Sequence, residues 1–125
     1  YEGGGEESRS NPWLAELQQD MFAEIHPGDA NDNGIKDGQW IWLEGPEGGK
    51  IKVKAMVTRR VGRGVVWTPY HFGGWFQGED LIDKYPEGAN PYVRGDSANT
   101  AFTYGYDSVT AMQETKASLC KITPA

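Results

Sequence analysis

Two runs of alternating residues, Trp40-Ile41-Trp42-Leu43 and Lys50-Ile51-Lys52-Val53-Lys54-Ala55-Met56-Val57, flank the glycine-rich connector Glu44-Gly45-Pro46-Glu47-Gly48-Gly49. A period of two over eight residues sends every second side chain to the same face of a strand. The pair therefore predicts a β-hairpin with a longer loop, Ile51 and Val53 facing a core and Lys50, Lys52 and Lys54 facing water. Around it, Phe22-Ala23-Glu24-Ile25 and Val65-Val66-Trp67 read as further short strands. Arg59-Arg60-Val61-Gly62-Arg63-Gly64 makes the turn before the latter. Several short strands within some fifty residues, with no long helical period, predict a small barrel or sandwich.

The helices this pattern allows are brief. Asn11 then Pro12 places a capping residue before a proline at the first helical position, and Trp13, Leu14 and Leu17 give at most two turns with a short apolar face. Asp29, Asn31 and Asn33 have the alternate spacing of a calcium loop, but no Glu stands at the twelfth position. A helical turn over residues 28–33, closed by Gly34 in the left-handed region, is the expected structure. Ile35-Lys36-Asp37-Gly38-Gln39 is a tight corner.

The stretch Gly64-Val65-Val66-Trp67-Thr68-Pro69-Tyr70-His71-Phe72-Gly73-Gly74 runs a strand into a Tyr-His-Phe cluster and two glycines, which marks the hinge between framework and site. After it, residues 73–108 carry glycines, prolines and many aromatics without alternation. A loop of that length with Trp75, Phe76, Tyr85, Tyr92, Phe102, Tyr104 and Tyr106 is expected to pack on something rather than to be solvated. Ala117-Ser118-Leu119-Cys120-Lys121-Ile122 is the last expected strand.

Composition bounds the chemistry. The 125 residues suffice for one domain and a core, and the formal charge of −6 argues against a general nucleic-acid binder. One cysteine and two histidines are too few for a zinc site, and no stretch approaches the length of a membrane span. Seventeen glycines and five tryptophans point to tight loops lying over a large flat ligand or a partner surface. Residues 1–12 are polar and glycine-rich and read by composition as a frayed terminus or linker, or else as a loop whose close-approaching amides, serine hydroxyls and Arg9 suit an anionic group.

The order of these signals resembles a known family. Pro27 with Asp29-Ala30, then Gly34-Ile35-Lys36-Asp37-Gly38, precedes the hairpin. That hairpin ends in Lys54-Ala55-Met56-Val57-Thr58 and Arg60-Val61. Gly64-Val65-Val66, Pro69, His71-Phe72-Gly73, Asn99-Thr100, Asp107 and Glu114-Thr115-Lys116 follow. This is similar to the C-terminal cofactor-binding domain of the molybdopterin oxidoreductases, most closely that of formate dehydrogenase alpha subunits. The resemblance implies a mainly β fold, a six-stranded double-psi β-barrel of the aspartate decarboxylase-like kind, with short helices and a long aromatic loop. It implies a single domain over 1–125, excised from the C-terminal end of a larger subunit: a loop or linker over 1–12, barrel strands over 13–72, a cofactor and interdomain loop over 73–116, and the last strand over 117–123.

By the same resemblance the ligand is a bis(molybdopterin guanine dinucleotide) carrying molybdenum or tungsten, used by the parent enzyme to oxidise formate to carbon dioxide. The implied cofactor contacts are Gly5, Glu6, Ser8, Arg9 and Ser10 in the opening loop, with Gly4 beside them. His71 and Phe72 follow at the hinge, Asn99, Thr100 and Tyr106 in the long loop, and Lys116 before the last strand. Asn99 brings both a donor and an acceptor to a heterocycle edge, and His71 can donate and accept at once. No residue is expected to be catalytic or a metal ligand. An iron–sulfur cluster, further N-terminal domains and electron-transfer subunits are expected outside this chain, which alone should be inactive. A non-catalytic β-barrel interaction module and a sister enzyme such as a nitrate reductase are the alternatives.

Overall fold

The computed structural model describes residues 10–70, 72–89, 91–102, 105–112 and 117–125. The predicted hairpin is its centre. β2 (Trp40–Glu44) and β3 (Lys50–Val57) pair antiparallel with Ile41 opposite Val53 and Leu43 opposite Ile51. Those four side chains are fully buried, so the alternation placed the core face correctly. Each contributes about 1.5–3 kcal/mol of apolar burial.

Three more strands extend this sheet. β1 (Phe22–Ile25) runs parallel to β3, with Ile25 beside Val57, and β4 (Val66–Trp67) pairs antiparallel with the outer side of β1. β8 (Lys121–Pro124) pairs antiparallel with β2, Ile122 opposite Leu43. The order β4-β1-β3-β2-β8 leaves β4 and β8 as the two edges of a curled half-barrel sheet. Residues 117–120 carry no regular structure and the strand begins at Lys121, later than the alternation suggested.

The first helix starts where its cap predicts, and the second starts one residue ahead of the expected 28–33. α1 (Pro12–Leu17) starts at Asn11, whose Oδ1 accepts from the amides of Trp13 and Leu14 at 3.0 and 3.3 Å. α2 (Pro27–Asp32) starts at His26, whose Nδ1 accepts from the Gly28 amide at 3.0 Å. It ends with Gly34 at φ 66° and the Ile35 amide bonded to the Ala30 carbonyl at 2.8 Å, so buried Ile35 locks the helix end. Arg63 then clamps α2: Nε lies 2.8 Å from Asp29 and Nη2 2.6 Å from Asp32, while the Gly64 amide donates to Asp29 at 2.7 Å. The guanidinium occupies the space beside Gly28, where an added Cβ would come within 2.0 Å of it.

The stretch without alternation contains a second, small sheet that periodicity could not reveal. β5 (Gly74–Phe76), β6 (Glu79–Asp80) and β7 (Gly95–Asp96) lie in the order β6-β5-β7. Gln77 and Gly78, at φ 48° and 84°, form the two-residue turn between β5 and β6, the geometry that suits the strand twist. Strands of two or three residues are too short to show a period.

Asp96 fastens this sheet to the large one. Its side chain is fully buried, and Oδ2 accepts from the Lys52 amide at 2.7 Å and the Gly78 amide at 2.8 Å. Above it the Trp75 and Trp40 rings meet at 5.7 Å, and Lys50 and Lys54 lie over Trp42 and Trp40 at 4.4 and 5.4 Å. The wet face of β3 is therefore a cation–π ladder rather than bare solvent. Arg94 binds Asp80 through Nε at 3.0 Å and Nη2 at 2.9 Å, fixing the entry to β7.

Candidate functional site

The curl of the large sheet brings its two edges to the same place. Residues 64–70 on the β4 side and 117–122 on the β8 side line one cavity of about 890 Å³, lined also by Asp29 and Asn33 of the α2 region and by Phe102. That volume lies at the upper end of the range for ligand pockets, about 300–1,000 Å³. Its walls are mixed. Trp67, Tyr70 and Phe102 offer flat apolar surface, and Asn33, Thr68, Ser118 and Lys121 offer an amide, two hydroxyls and an ammonium. Asp29 is committed to Arg63 and the Gly64 amide, so the carboxylate at the rim is already neutralised. Thr68 reaches back to the Phe22 carbonyl at 2.9 Å, which holds the β4 exit against β1.

Cys120 also lines the cavity. The residue as a whole is exposed, yet partial burial of the thiol pushes its pKa up, so the unreactive neutral form is favoured. Among the described residues no group of three or more His, Cys, Asp and Glu side chains comes together as a metal-binding set.

A second arrangement presents the Asn99 turn. Residues Ala98–Thr100 form a 3-10 turn with Ala98 and Ala101 buried and Asn99 exposed. The turn sits on the β2–β3 loop so closely that a Cβ on Gly45 would be 1.7 Å from the Ala101 carbonyl oxygen, and one on Gly49 2.1 Å from that of Thr100. Those glycines were read as hairpin punctuation. Their backbone approach to the Asn99 turn is a role that only the tertiary structure reveals.

Of the residues singled out from sequence, Gly5, Glu6, Ser8, Arg9, His71 and Lys116 lie outside the described residues. Ser10 is exposed ahead of α1, Thr100 is half-buried, and Tyr106 is exposed. Phe72 is buried against Gly95 in the core, so its ring faces protein rather than open space. Asp107 organises the next loop, accepting from the Val109 and Thr110 amides at 2.9 and 2.7 Å, and these bonds hold its carboxyl below the usual range. Phe72, Asn99, Thr100 and Tyr106 do not line the large cavity; Tyr70, Phe102 and Ala117, which adjoin or nearly adjoin His71, Thr100 and Lys116 in sequence, do. Sequence reasoning missed Asn33, Ser118 and Lys121, whose only signal is proximity to those motifs.

A flat heterocycle joined to anionic phosphates asks for aromatic walls, neutral hydrogen-bonding groups and a cation, and the cavity supplies each of them. Comparison with known proteins points to the same chemistry. Residues 3–119 match the model of the "Molydopterin dinucleotide binding domain" family. The formate dehydrogenase subunit alpha of Megalodesulfovibrio gigas is 33% identical over 126 residues, covering 94% of this chain and 11% of that protein. The formate dehydrogenase 2 subunit alpha (cytochrome c-553) of Nitratidesulfovibrio vulgaris is 30% identical over 123 residues, 98% of this chain and 11% of that one. The thiosulfate reductase molybdopterin-containing subunit of Salmonella typhimurium is 49% identical, over 47 residues that cover 38% of this chain and 6% of that protein. Among solved structures, acetylene hydratase from Pelobacter acetylenicus shares the fold with a TM-score of 0.66 at 19% identity, over 90% of this chain and 15% of that one. The chain thus spans about a tenth of the length of the formate dehydrogenase relatives it matches. Sheet, cavity and family model agree: the chain belongs to the molydopterin dinucleotide binding domain family, and its ligand is a molybdopterin cofactor.

Proposed function

We propose that this chain is the cofactor-holding domain at the C-terminal end of a formate dehydrogenase alpha subunit. It would bind bis(molybdopterin guanine dinucleotide) with molybdenum or tungsten. The cofactor supplies the redox chemistry when bound, and this chain orients it and compensates its charge. The observation that carries the reading is the convergence at one cavity of three segments distant in sequence, 64–70, 102 and 117–122. Each of the three abuts a motif on which the resemblance rests.

In this reading Asn99, Thr100 and Tyr106 meet the cofactor from the long loop, together with Ser10, His71 and Lys116 and the opening residues Gly5, Glu6, Ser8 and Arg9. The Phe72 side chain packs in the core against Gly95, so its role is to fix the hinge rather than to face the ligand. The curled sheet with facing edges supports the further proposal that it is the greater part of a six-stranded double-psi barrel. An iron–sulfur cluster, the remaining domains and electron-transfer subunits belong to the rest of the parent enzyme.

The test is made in the full-length subunit. Asn99→Ala and the cavity-filling Ser118→Phe are each expected to lower bound pterin and metal, measured by pterin fluorescence after oxidation and by metal analysis, about tenfold, the equivalent of about 1.4 kcal/mol. Full cofactor content in both variants would refute the site. A sister enzyme remains the second reading because the match to a thiosulfate reductase subunit, though short, is closer in identity. Turnover of formate against thiosulfate by the same preparation separates the two.

A further inference from the structure

α1 turns its apolar side chains away from the sheet. Six residues are well below the roughly 12–15 at which a helix is marginally stable alone, so α1 depends on packing for its stability. Yet its single buried side chain is Ala15. At about 100° per residue, Trp13 and Leu17 share a face with Leu14 at its margin, and Ala15 lies nearly opposite. The apolar stripe that ordinarily turns to the core therefore turns outward. Trp13 is 78% exposed, Leu17 81% and Leu14 41%. Beside the helix, Tyr92 is 65% exposed and borders a cleft of about 350 Å³ that also touches Pro12, Ala15 and Arg94.

We propose that the Trp13–Leu17 face of α1 is covered by an apolar surface elsewhere in the same, longer polypeptide, with the Trp13 indole as the anchor of that contact. Two observations choose this occupant over a second copy of the chain. The exposed apolar area of these side chains is on the order of 400–600 Å², short of the ~800 Å² per partner that a stable free association buries. A tethered neighbour needs far less, because effective concentration replaces much of the affinity. The second observation is the length of the relatives, of which the matching chain makes up 11%. A lone Trp inserted into a neighbour's pocket suits a small interface, since aromatic anchors dominate the energy of such contacts. The inference concerns packing between parts of one polypeptide and does not rest on the cofactor assignment.

The test is hydroxyl-radical footprinting of the full-length polypeptide, read by mass spectrometry at Trp13 and Leu17 against the same polypeptide unfolded in urea. Coverage predicts protection of about tenfold or more at both residues, unchanged on dilution. Protection below about twofold would overturn the proposal, and so would protection that disappears on dilution, which would assign the face to a second copy. A companion variant, Trp13→Gln with Leu17→Gln, is expected to speed proteolysis near α1 at unchanged bound pterin per folded molecule. Unchanged proteolysis counts against the proposal. Low cofactor content with intact Trp13 protection counts against the cofactor reading alone.

Discussion

Replacing Asp96 by alanine tests how the two sheets are held together. Oδ2 takes two backbone amides, one from β3 of the large sheet and one from the turn of the small sheet, and Oδ1 has no hydrogen-bond partner among the described residues. Two hydrogen bonds to an ionised oxygen at about 1.5–3 kcal/mol each set an upper bound of about 3–6 kcal/mol. Relief of the buried carboxylate offsets part of this, so Asp96→Ala should cost about 2–4 kcal/mol near neutral pH, out of the roughly 5–15 kcal/mol typical of a domain. Urea denaturation of the 125-residue chain followed by tryptophan fluorescence measures the loss.

The pH dependence gives the sharper test. Burial pushes the Asp96 carboxyl above its ordinary value, only partly opposed by the Lys52, Gly78 and Gln77 amides. The folded state therefore holds the proton more tightly than the unfolded one. The contribution of Asp96 is full below the unfolded value and falls as pH rises through the folded one. Because other groups cancel in the difference, the gap between wild type and Asp96→Ala should narrow from about pH 3 to neutrality. Asp96→Asn keeps an acceptor for both amides and should lose less than the alanine variant while showing the same narrowing. A loss below about 1 kcal/mol for Asp96→Ala, or a gap that widens with pH, would refute the staple.

Gly45→Ala should push the Ala98–Thr100 turn off the hairpin, costing about 1–3 kcal/mol by denaturation and lowering cofactor content in the full-length subunit. Arg63→Ala releases Asp29 and Asp32 from partly exposed ion pairs, so a loss of only about 0.5–1 kcal/mol is expected, smaller still in high salt. Asp107 is held below its ordinary value, so its contribution is present above the unfolded value and lost as pH falls through the folded one. Asp107→Ala should flatten that acid limb, and an unchanged limb would remove Asp107 from the account.

What could be read from sequence was whatever is local or periodic. The hairpin register follows from Ile41, Leu43, Ile51 and Val53, and the start of α1 at Asn11–Pro12 and the end of α2 at Gly34 follow from caps encoded in adjacent residues, whereas the His26 cap of α2 was not read. The small sheet was invisible because its strands are two or three residues long and are fixed by Asp96 and Trp75 meeting β3 and β2, contacts between distant residues. The outward turn of α1 was hidden for a related reason: an apolar stripe does not say whether it meets the core of its own sheet. For the site, the motifs led to its neighbourhood, whereas the cavity wall at Asn33, Ser118 and Lys121 depends on how far the sheet curls.

The pairing of β8 with β2 also sets a schedule. As the chain leaves the ribosome, β2 and β3 can pair at once, but the far wall of the cavity does not exist until Ile122 has emerged. At translation rates of about 5–20 residues per second the interval from Val57 to Ile122 is on the order of 3–13 s. Through it the outer edge of β2 stands unpaired and open to other strands. The cavity between the two edges is therefore complete only after synthesis of β8.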